Sequence, residues 1–147
     1  MPEKIAPVMT AADLTAFMRH EFPEQAHLAV DRVTDRGIVL RLTPRPADLR
    51  PGGSLLGAAI FNLADVAVYL AILSRIGPKA LTVTTNASID YMRKPYPGRD
   101  LVAEVEILKL GRALAVGEAR LTSDGAGGLV ARATMTFSVP PADRNVG

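Results

Sequence analysis

Between Leu55 and Leu73 the chain carries three polar side chains, Asn62, Asp65 and the hydroxyl of Tyr69, in an otherwise apolar or small run. A carboxylate in such a segment is neutralised, paired or put to chemical use, because burying it unpaired is costly. Eight residues earlier stands Gly57. With Ser54 as N-cap, a helix over 54–76 places Gly57 in its first turn. Its amide then lacks an intrahelical partner, and the helix dipole favours developing negative charge there. A free amide at a helix start, beside a glycine that lets a ligand approach the backbone, has the parts of an oxyanion hole. The alternatives are structural: a Gly57 that serves packing, and an Asp65 paired with an arginine across an interface.

Eight helical residues span about 12 Å, too far for one carbonyl to touch both groups on one helix. The spacing therefore predicts a dimer with antiparallel helices side by side, Asp65 from one copy facing Gly57 from the other. Asn62 and Tyr69 share the helical face of Asp65, so a local hydrogen-bond network is expected.

The elements that must hold this helix read clearly. Residues 10–22 form an amphipathic helix, with Leu14, Phe17 and Met18 on one side and Thr10 capping with Asp13. Residues 28–43 form a hairpin around Asp35-Arg36-Gly37. A proline-rich stretch breaks the chain before the long helix, and Gly77-Pro78 ends that helix. Four strand-like runs follow, over 80–94, 100–110, 112–122 and 129–139, expected as an antiparallel meander. The architecture is α+β, a central helix, apolar nearly all round, wrapped by a curved sheet. One domain is expected over 1–147, with a helical arm over 1–22 and a flexible tail over 140–147.

Composition narrows the chemistry. The 147 residues are 48% hydrophobic and 22% charged, with a formal charge of +2, a globular balance without the dense basic surface that nucleic acid needs. There are no cysteines and two histidines, His20 and His27, so thiolate sites and histidine metal clusters are not expected, and the chain suits a reducing, cytoplasmic setting. The first fourteen residues hold charges and prolines where a signal peptide needs an apolar run. Leu55–Leu73 is long enough to span a bilayer, but Asp65 at its centre argues against insertion. Neither a nucleophile elbow at Ser54 nor a dinucleotide fingerprint in "SDGAGGLVA" survives inspection.

The runs "GAAIFNLADVA", "VTTNASIDYMRKPYPGRDLVAEVEILKLGR" and "LVARATMTFSV" resemble the hotdog-fold acyl-CoA thioesterases of the phenylacetate-degradation (PaaI-like) group, over about residues 28–139. The resemblance implies a hotdog fold, dimers paired into tetramers, and hydrolysis of acyl-CoA without metal or cofactor. It implies that Asp65 activates water or attacks the thioester, that the Gly57 amide of the partner chain holds the oxyanion, and that Thr84 assists the water. The group's His-Gly-Gly reads Leu56-Gly57-Ala58 here, and its frequent asparagine is Arg50. Arg50 is thus expected either to contact substrate or to pair with Asp65, which would lower the basicity of the carboxylate. Arg93, Lys94 and Arg112 are candidates for the phosphates of coenzyme A. Leu55, Leu56, Ala58, Phe61, Asn62 and Tyr69 are candidates for substrate contact. A hotdog protein that binds acyl or aryl ligands without hydrolysis is the rival, motivated by Leu56 and Arg50.

Overall fold

The first helix, α1 (Ala11–Glu21), starts at a capping box: the Thr10 hydroxyl accepts from the Asp13 amide at 3.1 Å, and the Asp13 carboxylate accepts from the Thr10 amide at 2.9 Å. Its apolar stripe buries Leu14 and Met18, and Phe17 packs against the core. Strands β1 (Leu28–Val33) and β2 (Ile38–Leu42) follow as the expected hairpin. The Thr34 hydroxyl fixes the turn by accepting from the amides of Arg36 and Gly37. The long helix α2 (Gly57–Ile76) and strands β3 (Val83–Tyr91), β4 (Leu101–Leu110), β5 (Leu114–Ser123) and β6 (Leu129–Ser138) complete the fold. This computed structural model describes residues 5–141. The tail expected over 140–147 lies outside the described residues from position 142 on.

The strands form one antiparallel sheet in the order β1-β2-β4-β5-β6-β3. This corrects the expected meander. Only β4, β5 and β6 run as one; β3 crosses to the far edge beside β6, and β2 takes its place next to β4. Bulges in β1, β3, β4 and β6 interrupt the registers, and such extra residues bend and twist a sheet. The sheet curls around α2, where Leu63, Ala64 and every residue from Ala67 to Arg75 are buried. Gly117 of β5 lets the helix come close, since a Cβ there would stand 2.8 Å from Val68 Cγ1. Helix α2 is long and apolar enough to cross a membrane by composition, but here it is the core of a hotdog fold.

Helix α2 begins two residues later than an N-cap at Ser54 implies. Leu49 and Leu55 pair as an antiparallel bridge, the Arg50 amide donates to Ser54 O, and the Leu56 amide donates to Asp48 O. Ser54 is thus spent on a tight loop, and Leu56 becomes the N-cap, with φ −65° and ψ 141° and no side-chain cap. Gly57 is the first helical residue.

Candidate active site

One stripe of α2 escapes the sheet. Gly57 and Ala58 are exposed, and Phe61, Asn62, Asp65 and Val66 are half-buried, at the spacing of a single helical face. Alongside runs β3, exposed for nearly its whole length. The two elements flank an open trough with Asp65 toward one end and Gly57 toward the other.

A bulge at Thr85 decides what β3 presents to this trough. Thr84 pairs with Phe137, while Ala87, Ile89 and Tyr91 pair with Met135, Ala133 and Ala131, all buried residues of β6. Directly paired residues share a sheet face, so the bulge places Thr84 inward together with Ala87, Ile89 and Tyr91. Without the extra residue Thr84 would point outward. Its hydroxyl donates to Asp65 Oδ1 at 2.8 Å.

Burial pushes the Asp65 carboxyl above the ordinary carboxylate range, and the Thr84 hydrogen bond opposes that shift. No ion pair of Asp65 occurs among the described residues, so the expected Arg50–Asp65 bridge does not form within the chain. A raised, cation-free carboxylate beside a hydroxyl can accept a proton from water or attack a carbonyl. Replacing Thr84 with Val should raise the Asp65 pKa further, because the lost bond favours the charged form. The acidic limb of the kcat/KM profile should move to higher pH; an unmoved limb would separate Thr84 from Asp65.

At the other end of the trough, the amides of Gly57 and Ala58 have no acceptor among the described residues; the first amides to fold back are those of Ala59 and Ile60, on Leu56 O. Glycine at 57 answers no conformational need, as its φ is not positive. A Cβ there would sit at ordinary contact, 3.7 Å from the Tyr91 ring. Packing within the chain therefore does not require this glycine. Tyr91 opens the Tyr-x-Arg-Lys-Pro element over 91–98 that helps carry the family resemblance, but the resemblance assigns it no role of its own. It donates its hydroxyl to Gly57 O at 2.9 Å.

The expected network among Asn62, Asp65 and Tyr69 is absent; each finds a different partner. Asn62 and Gln25 exchange reciprocal amide hydrogen bonds of 2.8 and 3.1 Å, and Tyr69 donates to Ala80 O at 3.1 Å. All three nevertheless line one cavity of about 350 Å³ that opens beside Asp65 and Thr84. Its apolar wall comes from Met18, Phe22, Val66, Leu70 and Phe137, with the Tyr69 ring packed edge-on against Phe22 at 5.7 Å. Met18, Phe22, Gln25 and Phe137 come from elements distant in sequence, which no local motif connects to Asp65. Of the other candidates, Leu55 belongs to the core, whereas Leu56 is exposed at the helix cap and Phe61 lies in the trough.

The basic candidates do not assemble into one cluster. Arg93 and Lys94 follow the end of β3, with the Arg93 guanidinium against Gly128. Arg112 lies in the β4–β5 turn beside Ile76 and Pro140, at the opposite end of the sheet. The length of β3 puts roughly 30 Å between them, so one chain cannot apply all three to one phosphate group. Arg50 is exposed in the loop before α2. Its replacement by Ala should leave the acidic limb of the pH–rate profile in place; a shift of that limb would restore the pairing with Asp65.

The thioesterase superfamily matches residues 52–130, more than half of the chain, and the chain belongs to that superfamily. The fold and the class it defines are those of a hotdog thioester hydrolase. A candidate thioesterase of Silicibacter sp. TM1040 is 44% identical, over 95% of this chain and 97% of its own, with a TM-score of 0.87. A mutant of the phenylacetic acid degradation protein PaaI of Thermus thermophilus is 28% identical over 81% of this chain and 98% of its own, with a TM-score of 0.68. A hypothetical thioesterase of Streptococcus pneumoniae, solved with coenzyme A, shares the fold at 22% identity and a TM-score of 0.73, over 87% of this chain and 97% of its own. Comparison with curated proteins gives no match.

Proposed function

We propose that the protein hydrolyses medium-chain or aromatic acyl-CoA thioesters at a site shared by two copies of the chain. The observation that carries this reading is Asp65: a half-buried carboxylate with no cation beside it among the described residues, bonded by the Thr84 hydroxyl at the mouth of an apolar cavity. The acyl group enters that cavity against Phe22, Tyr69 and Phe137. Asp65 acts on the thioester carbon, directly or by taking a proton from the attacking water; both routes form an oxyanion. The Gly57 amide of the partner chain donates a hydrogen bond to that oxyanion. The carbon–sulfur bond then breaks and the coenzyme A thiolate takes a proton. On the water route this leaves the free acid; on the direct route water then hydrolyses the acyl–Asp65 anhydride, releasing the acid and restoring the carboxylate. The proposed mechanism uses no metal or cofactor.

The exposed edge of β3 supports the two-chain arrangement, since an unpaired, largely uncharged edge is a template for a second strand. The coenzyme A in the Streptococcus pneumoniae relative and the aryl-acid pathway in the name of the Thermus relative support the substrate class.

A non-hydrolytic acyl-binding role is the second reading, favoured by Leu56 where the PaaI-like group carries histidine. A panel of straight-chain and aryl acyl-CoAs, followed by release of free thiol, separates the two. Turnover is expected, highest for medium-chain or aromatic acyl groups. Saturable binding of the panel without thiol release would establish the binder.

A further inference from the structure

The first turn of α2 is held in an unusual way. Its N-cap, Leu56, supplies no side-chain hydrogen bond, and uncapped helix starts leave their amides weakly ordered. The Gly57 carbonyl already has an acceptor role in the helix, toward the amide four residues on. The hydrogen bond from Tyr91 to that same carbonyl is therefore additional to what backbone satisfaction requires. Tyr91 gains little from burial, being 52% exposed, yet its ring lies against Gly57 with the hydroxyl aimed at the peptide. Burial also raises its pKa, so the hydroxyl keeps its donor proton at neutral pH.

We infer that Tyr91 is a positioning residue for the oxyanion-binding start of α2, holding its first peptide from the carbonyl side while the amides stay free. This rests on the reading of Gly57 as oxyanion donor. The carbonyl it holds belongs to the Gly57–Ala58 peptide. Fixing that plane holds Gly57 from its carbonyl side, so the Gly57 amide, one Cα back, is anchored through it. Donation to the carbonyl also polarises the free Ala58 amide beside it as a second donor. Strand β3 thus touches both chemical ends of the trough from one face, with Thr84 on Asp65 and Tyr91 on Gly57. The bulge at Thr85 makes this possible, because the two positions are an odd seven apart along the strand and must face the same way. In a two-chain site the base and the oxyanion donor come from different copies. Each copy's β3 then sets the position of one half of each site.

The test is Tyr91→Phe, which keeps the ring and removes the hydroxyl. With the best acyl-CoA of the panel, kcat should fall about tenfold, less than the loss of an oxyanion donor itself, which costs about 10²–10³. KM should stay within about twofold, and the acidic limb set by Asp65 should not move. The second measurement is the infrared carbonyl stretch of an acyl-CoA bound to Asp65→Asn protein. Adding Tyr91→Phe should shift that stretch toward its value in water.

An unchanged kcat would overturn the inference, as would a fall in kcat with the carbonyl stretch unmoved, the mark of a merely structural role. A loss confined to KM would overturn it too. Parent protein that binds acyl-CoA without turnover would overturn the hydrolase reading alone, and the carbonyl stretch would still decide for or against Tyr91. Parent protein that binds no acyl-CoA would overturn both.

Discussion

Asp65→Asn should lower kcat by about 10²–10⁴, the range of general-base assistance, while leaving the fold and acyl-CoA binding intact. Asparagine keeps the shape of the side chain and can still accept the Thr84 hydrogen bond; it loses the basic, nucleophilic oxygen. Stability distinguishes this from a structural role. Because burial raises the Asp65 pKa, the folded protein binds its proton more tightly than the unfolded chain does. Stability is then lost as pH rises from the ordinary carboxylate value through the raised folded value, and it stays lower above that window. Asp65→Asn should therefore be at least as stable as the parent at neutral pH, with the difference vanishing in acid below both values. A carboxylate kept for a buried ion pair would behave in the opposite way, costing about 3–5 kcal/mol on removal. Thiol-release kinetics and thermal unfolding at two pH values check both halves.

Gly57→Pro should lower kcat by about 10²–10³, the cost of one oxyanion donor, with helix α2 undisturbed. Proline removes the amide proton and little else at this position. It is favoured as the first helical residue, and the preceding residue must be extended, as Leu56 is at ψ 141°. The Tyr91 ring leaves a Cβ at ordinary contact distance. Gly57→Ala, which keeps the amide, is the matched control and should retain most of the parent's kcat. Equal losses in the two variants would assign the effect to crowding of the trough instead of the amide.

The parts of this site differ in how plainly the sequence shows them. Asp65 and Gly57 were legible because α2 is a straight ruler: composition marked it as a helix, and the rise per residue fixed their separation. The capping box at Thr10 and the stop at Gly77 were equally local. Ser54 misled as an N-cap because the Leu49–Leu55 bridge, a contact between two loop residues, claimed it first. Strand β3 shows the limit most sharply. Alternation along Val83, Thr85, Ala87, Ile89 and Tyr91 turns Thr85 inward, and no feature of period two announces the bulge that substitutes Thr84. Thr84 entered through the family resemblance alone. The cavity wall at Met18, Phe22 and Gln25 depends on how α1 and the turn after it dock on α2, which is a tertiary fact. The place of β3 beyond β6, instead of in a meander, is tertiary as well. Tyr91 carried a signal, an aromatic hydroxyl closing an inward-facing row, that becomes meaningful once the helix start is placed beside it.

The central claim is that Asp65 and Gly57 act on one thioester from two different chains, and mixing the two dead variants tests it most directly. Asp65→Asn and Gly57→Pro subunits, each inactive alone, are unfolded and refolded together or co-expressed with different tags. In a two-fold dimer with shared sites, the mixed species has one site with both lesions and one with neither. Thiol release per chain should then return to about a quarter of the parent rate, half the dimers being mixed and half of their sites intact. If both groups instead served one site within a chain, every site in the mixture would carry a lesion. Activity that stays at the level of the separate variants, in a sample shown by its tags to contain the mixed species, would contradict the account.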